Sequence, residues 1–375
     1  MEIGLFKEPH FENRVAMPPE VVHKLVKQGH NVSVEFGIGQ RAFMSDELYT
    51  KVGAVCLSRD EVFKKADLLI SIHPFSSQEI ESLQPHQIVV GVFNPLVNSD
   101  LIDLFLKRSV TFLSLDMLPR TTRAQSMDIL SSMATVAGYK SVLAAAVRLP
   151  RFFPMFMTAA GTIKPARVLI LGAGVAGLQA IGIARKLGAI VEVFDVRSAV
   201  KEEVQSLGAK FIEVQGAVDD SEAGGYAVEQ TEDFKARQQQ LIQDQAVKAD
   251  VIITTAQIPG RPAPKLITAE TINHMKSGSV VVDLASSSGG NTELTQDNEE
   301  VVHNGVTIIG NSLLQSELPI DASVMFGNNL YNFLQILFDE KGNLQLNFDD
   351  DIIAACTIAH QGNIISKRVS DFYKK

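Results

Sequence analysis

Residues 164–196 read KPARVLILGAGVAGLQAIGIARKLGAIVEVFDV. An apolar run ending at Leu171 meets Gly172-Ala173-Gly174-Val175-Ala176-Gly177, a helical pattern follows to Leu187, and a second apolar run ends on Asp195. Strand, glycine turn, helix, strand and acid in that order can bind a dinucleotide. Gly172 permits a tight turn, Gly174 lets a pyrophosphate approach bare backbone, and Gly177 lets helix and strand pack closely. At the helix start, the N–H groups around Val175 and Ala176 offer the positive end of the helix dipole to the phosphates. Asp195 would accept hydrogen bonds from ribose hydroxyls and repel a 2′-phosphate, which favours NAD(H) over NADP(H). Val196 and Arg197 adjoin it; the arginine reads as a 2′-phosphate partner, an adenine-stacking group or a solvated helix start. Thr255 and Ala256, where a later apolar run ends, complete the expected cofactor-binding set.

A second polar group is Pro119-Arg120-Thr121-Thr122-Arg123-Ala124-Gln125-Ser126-Met127-Asp128, with Ser131 and Ser132 beyond. It follows a strand, at the end where open α/β sheets bind ligands. On one continuous helix, Gln125, Asp128 and either Ser131 or Ser132 share a face. A cation, an amide and a carboxylate grouped there could hold a carboxamide. Spacing alone equally allows a capped helix start with a solvated arginine pair. Tyr226, between Gly224-Gly225 and an acidic flank, reads either as a ring on a mobile loop that closes over a ligand or as part of a disordered insertion. Residues 286–291, Ser-Ser-Ser-Gly-Gly-Asn, follow a strand end and leave room for a bound molecule.

Nothing in the chain is spaced as a nucleophile or a general acid–base pair. His73 before Pro74 is the nearest candidate, and it reads equally as an ordinary strand-end histidine. Oxidation of C–OH or C–NH moves a proton as well as a hydride. Exchange between two nicotinamides needs only two rings held face to face. The eight histidines and two cysteines show no metal-ligand spacing, so no metal is expected.

These residues need a scaffold, and 375 residues with 46% hydrophobic content are enough for two cores. A net charge of −9 argues against nucleic acid and against simple attraction to an anionic membrane. A strand begins almost at Met1, leaving no room for a signal peptide. Residues 168–184 are uncharged but too short and glycine-rich for a membrane span. Apolar strands are expected at residues 3–6, 32–36, 68–72, 88–93 and 111–115, alternating with helical patterns at 20–28, 46–52, 60–65, 78–83 and 101–107, with Ser77 and Asp100 as N-caps. That makes a βαβ domain without a glycine fingerprint of its own. Residues 125–149 read as one helical spine joining it to the fingerprint domain. There, strands are expected at 210–214, 251–255, 279–284 and 306–309, with a helix at 231–248. The tail offers a helix at 322–338, a turn at Lys341-Gly342-Asn343 and a final helix. The expected fold is therefore α/β, two doubly wound parallel-sheet (Rossmann-like) domains joined by long helices. The first comprises residues 1–134 and 317–375, the second residues 135–316.

Beyond the fingerprint, four runs carry a resemblance: RAQSMDILSSMATVAGY (123–139), FFPMFMTAAGTIKPARVLILGAGVAGLQA (152–180), GGYA (224–227) and IPGRPAPKLIT (258–268). Along essentially its whole length the chain resembles the NAD(H)-binding component, domain I, of proton-translocating nicotinamide nucleotide transhydrogenases. The resemblance implies Re/Si-specific hydride transfer between bound NAD(H) and NADP(H) held on a partner subunit. It implies that Arg120, Asp128 and Ser131 hold the NADH ring and carboxamide, that Gln125 reaches toward the partner's NADPH, and that Tyr226 closes over NAD(H). It also implies a homodimer in the cytoplasm, attached peripherally to the membrane through membrane and NADP(H)-binding subunits. The end at Lys375 resembles the arrangement in which this domain is a separate subunit. Alanine dehydrogenase shares the architecture and the stretch Glu12-Asn13-Arg14-Val15-Ala16, whose arginine binds the substrate carboxylate in that enzyme. Its catalytic lysine and histidine are absent, since the matching strand ends read Ile72-His73-Pro74 and Val92-Phe93-Asn94-Pro95. A binding-only NAD(H) sensor is the alternative of a different class. The chain departs from the family pattern at Met17-Pro18-Pro19, at Ser287 where an acid is common, and over residues 313–319.

Overall fold

Short apolar runs bounded by turn residues form strands here because both faces of each strand can be covered. The computed structural model describes residues 1–214, 232–339 and 341–374. The chain divides into two compact units, Met1–Met133 with Ser316–Lys375, and Ala134–Gln315.

The first unit holds an eight-stranded sheet in the order Asn363–Ile364, Thr357–His360, Thr111–Ser114, Ile88–Gly91, Leu68–Ile70, Glu2–Leu5, Asn31–Glu35, Val55–Leu57. The six strands from the N-terminal part are parallel, and the two from the tail run antiparallel to their neighbours. Successive side chains point to opposite faces, so Leu68 and Ile70 enter one core while Leu69 enters the other. All three are fully buried, which explains the continuous apolar runs.

The second unit holds seven strands in the order Lys210–Phe211, Ile190–Phe194, Arg167–Leu171, Val251–Thr254, Val280–Asp283, Val306–Gly310, Glu299–His303. All pair in parallel except the last, an antiparallel edge. Here too Val168 and Ile170 face one core and Leu169 and Leu171 the other. Strand order reverses between Arg167–Leu171 and Val251–Thr254, the position at which doubly wound sheets bind ligands. Both units are thus α/β layers around parallel-dominated sheets.

The helix Ile129–Arg148 crosses the boundary between the units in sequence. By length and composition it could span a membrane. Its apolar positions Val142 and Ala145 are instead fully buried in the second unit's core.

Several expected details differ. The spine is broken: Gln125–Met127 is a 3-10 turn, Asp128 has a non-helical ψ of 89°, and the helix begins at Ile129. Ser76, not Ser77, caps Ser77–Ser82, in a reciprocal box with Glu79; Asn98, not Asp100, precedes Ser99–Arg108. The strand expected at 210–214 shrinks to Lys210–Phe211. The edge strands Val55–Leu57, Glu299–His303 and Asn363–Ile364, the inner strand Thr357–His360 and the hairpin Phe156–Thr158/Gly161–Ile163 were not expected. The turn around Gly342 closes with an antiparallel bridge between Phe338 and Leu344.

A Cβ added to Gly138 would lie 2.2 Å from the carbonyl oxygen of Ala176, in the first turn of the fingerprint helix. Alanine normally favours a helix over glycine by about 1 kcal/mol, but this backbone oxygen cannot swing aside. Gly138→Ala should therefore lose stability by roughly 1–2 kcal/mol net, since forced overpacking costs about 1–3. Urea denaturation measures this; an unchanged or raised midpoint would contradict the close approach.

Candidate nucleotide site and strand-end clusters

In the second unit the fingerprint forms a backbone bed. Gly172 has φ of 105°, and its N–H donates to Phe194 O at 2.8 Å. A Cβ on Gly177 would sit 2.0 Å from Gly172 O, whereas one on Gly174 would meet nothing within 4 Å. So helix Val175–Lys186 abuts the turn at Gly177 while space stays open over Gly174. No side chain caps this helix and its first turn holds no acid, which leaves its first N–H groups and dipole for an anion.

Asp195 ends the neighbouring strand and locks the turn. Its Oδ2 accepts from Ala173 N at 2.6 Å and from the Arg197 guanidinium at 3.0 Å. Its Oδ1 accepts from Arg197 N at 2.8 Å and Nε at 3.0 Å. Arg197 is therefore not a solvated helix start; it is paired with Asp195. Val196 is exposed beside them. Thr255 Oγ1 donates to Leu171 O and Gly172 O, at 3.3 and 3.2 Å. Ala256 N donates to Asn291 Oδ1 at 3.0 Å, and Asn291 Nδ2 returns bonds to Ala256 O and Pro264 O. Behind Asn291, the fully buried Asp283 accepts from the N–H groups of Ala285, Asn291 and Thr292 and from Thr295 Oγ1. Asp283 was not among the residues expected from the sequence; an acid ending the apolar run Val280–Asp283 was its signal. Ser287 is exposed on that loop. Tyr226 lies outside the described residues.

In the first unit, the broken spine separates the groups expected on one helical face. Asp128 caps the helix Ile129–Arg148: Ser131 N donates to it at 2.9 Å and Ser131 Oγ at 2.6 Å. Arg123, although half exposed, is paired: it holds Asp350 with both terminal nitrogens, at 2.6 and 2.7 Å, and also Asp351. Arg120 and Gln125 are exposed, and neither side chain bonds to a described residue. The loop thus presents a cation and an amide to solvent, while Arg123 and Asp128 hold it in place.

At the switch point of the first sheet, between Glu2–Leu5 and Leu68–Ile70, sits a carboxylate cluster missed in the sequence. Ile72 N donates to Glu8 Oε1 at 2.6 Å and His73 N to Oε2 at 3.0 Å, with Ser71 Oγ at 3.3 Å from both. Arg14, only 5% exposed, lies along the fully buried Glu12, its Nε at 2.8 Å from Oε1 and its Nη2 at 2.5 Å from Oε2. His73 Nε2 meets Glu12 Oε2 at 2.9 Å. Arg14 is therefore occupied by an internal carboxylate. The departure at Met17-Pro18-Pro19 starts helix Pro19–Lys27, with Pro19 at its first position. Among the described residues no cluster of three or more His, Cys, Asp or Glu could hold a metal.

Burial pushes the Glu8 carboxyl up to about 7, against two N–H donors and the nearby His73. Glu12 is also buried, but Arg14 and His73 hold it well below the usual carboxylate range. The signs oppose. Glu8 binds a proton in the folded state that the unfolded chain has released, so its contribution is fully present below about pH 4.5 and lost as pH rises through 7. Glu12 contributes above about pH 4.5 and loses that in strong acid. Between pH 5 and 8 the Glu8 effect alone should lower stability by on the order of 2–3 kcal/mol. Denaturation across that range should show this slope flattened in Glu8→Gln; a variant with the wild-type slope would exclude Glu8 as its source.

Two sequence models match: the alanine dehydrogenase/PNT N-terminal domain over residues 4–137 and the C-terminal domain of the same family over residues 141–367. The chain is 42% identical over 370 residues to NAD(P) transhydrogenase subunit alpha of Cereibacter sphaeroides, covering 97% of this chain and 71% of that one. It is 42% identical over 375 residues to the first segment of NAD(P) transhydrogenase subunit alpha of Rhodospirillum rubrum, covering 97% and 98%. The crystal structure of a transhydrogenase from Sinorhizobium meliloti superposes with a TM-score of 0.89 at 38% identity, covering 97% of this chain and all of that one. Similarity to alanine dehydrogenase of Mycolicibacterium smegmatis is lower, 26% over 370 residues, covering 96% and 93%. The sheet order, the glycine bed and these likenesses agree: the chain belongs to the alanine dehydrogenase/PNT family, on its transhydrogenase side.

Proposed function

We propose that this chain is the NAD(H)-binding component of a proton-translocating, Re/Si-specific NAD(P) transhydrogenase, exchanging hydride with NADP(H) held on a partner subunit. The observation that carries the reading is the bed at Gly172–Gly177: an uncapped helix start, open space over Gly174 and a strand-end carboxylate at Asp195. A dinucleotide fits this bed, with the N–H groups from Gly174 to Gly177 for the pyrophosphate and Asp195 for the adenosine ribose. Val196, Arg197, Thr255 and Ala256 belong to the same site in this reading, and Tyr226 covers it. The nicotinamide supplies or accepts the hydride. Arg120 and Ser131 orient the ring and its carboxamide, Asp128 fixes Ser131 by the bond already formed, and Gln125 faces the partner's nucleotide.

Relatives named as subunit alpha support an assembly with other subunits. We place the chain in the cytoplasm, held at the membrane by those partners. A homodimer completes the proposal; the exposed hairpin Phe156–Thr158/Gly161–Ile163, with Phe152, Met155, Phe156 and Met157 outward, supplies apolar surface of the kind that associates. The domain limits read from the sequence, 1–134 with 317–375 and 135–316, are retained for the two functional halves. Amino-acid oxidation is disfavoured because Arg14 is held by Glu12, and Ile72 and Asn94 stand where a lysine and a histidine would be required.

Calorimetric titration should show NADH bound at least about tenfold more tightly than NADPH, or about 1.4 kcal/mol. Equal affinities would remove Asp195 as the discriminating group. With the NADP(H)-binding partner present, Asp128→Asn and Arg120→Ala should slow hydride transfer on the order of tenfold or more. Asparagine still caps a helix, so Asp128→Asn should melt near the parent temperature. A variant that melts early yet keeps its rate would reduce Asp128 to a cap.

A further inference from the structure

The loop 118–128 is tied down at points with no part in the chemistry proposed above. Ser126 O accepts two side-chain amides at once, from Asn329 Nδ2 at 2.8 Å and Asn332 Nδ2 at 2.9 Å. These asparagines are three residues apart on helix Pro319–Gln335 and so share one face. Arg123 spans to Asp350 by a two-pronged pair. Asp350 is itself fixed, because its Oδ1 caps helix Asp351–Cys356 by accepting from Ile352 N at 2.9 Å and Ile353 N at 3.2 Å. Next to these ties, Ala124 and Met127 are buried in the first unit's core. Residues more than 200 positions away thus hold the loop on both sides of the exposed Gln125 and shortly after the exposed Arg120.

Stability does not account for this arrangement. Arg123 is half exposed, and exposed ion pairs contribute only about 0–1 kcal/mol. Rate is far more sensitive to position than stability is, since a displacement of about 1 Å can cost on the order of a hundredfold. We infer that Arg123, Asp350, Asn329 and Asn332 are positioning residues that set where the loop presents Arg120. This inference rests on the proposal that Arg120 acts on the nicotinamide.

The test uses the full chain with its NADP(H)-binding partner and reads kcat, KM for NADH and melting temperature for Arg123→Ala, Asn332→Ala, Arg120→Ala and the pair Arg120→Ala/Arg123→Ala. Arg123→Ala and Asn332→Ala should each lower kcat about fivefold or more, with KM for NADH changed less than about twofold and melting little altered. Arg123→Lys should recover part of the rate. The double variant should be no slower than Arg120→Ala alone, because Arg123 works only through the position of Arg120. If Arg123→Ala folds poorly, Asn332→Ala carries the test. Parental kcat in both Arg123→Ala and Asn332→Ala with a slow Arg120→Ala, or losses that multiply in the double variant, would overturn the inference and leave the site reading standing. Parental kcat in Arg120→Ala would overturn the site reading itself.

Discussion

The contact between helix Val175–Lys186 and the turn at Gly172 is the constraint on which the nucleotide site depends. Only hydrogen at Gly177 allows the helix to approach Gly172 O as it does, and only hydrogen at Gly138 allows a second helix to lie against Ala176 O. These approaches fix the direction of the helix axis, and with it the N–H groups and dipole offered over Gly174. Asp195 then ties the turn through Ala173 N. A phosphate-binding bed arises here from packing limits, with no cationic side chain required to make it.

The two units show how one winding can be put to different uses. Both sheets reverse strand order in the same way. In the second, the strand ends open onto glycine backbone. In the first, the N–H groups of Ile72 and His73 are taken by Glu8, and Arg14 by Glu12. Side chains of the chain itself thus take up the donors at these strand ends. This internal satisfaction fits a component whose reaction partner is another nicotinamide and which needs no proton-transfer residue at that position.

Strands buried on both faces were legible in the sequence, because runs such as Val168–Leu171 and Val280–Val282 have no other economical reading. Of those missed, Val55–Leu57, Glu299–His303 and Asn363–Ile364 lie at sheet edges, where exposed residues dilute the apolar signal. Thr357–His360 is buried but only four residues long, with a threonine and a histidine at its ends. The glycine bed was legible for a steric reason that is local in sequence. The Arg120–Asp128 loop was legible only as a group of residue types. Whether Asp128 caps or lies on a helix face turns on a break at one dihedral, and Arg123's partner lies more than 200 residues away. Arg197 showed the same limit: its pairing with Asp195 could not be chosen from spacing over the other roles open to an arginine there.

The central claim is direct exchange of hydride between NAD(H) on this chain and NADP(H) on its partner, with no exchangeable group between them. Single-turnover transfer from NADPH deuterated at the reacting C4 position, with the chain loaded with NAD+ in ordinary water, tests it most directly. The account predicts that the label appears in the NADH formed, with none lost to solvent, and that no NADH forms when the partner is omitted. Reduced product without label, or reduction at the same rate by the chain alone, would contradict it.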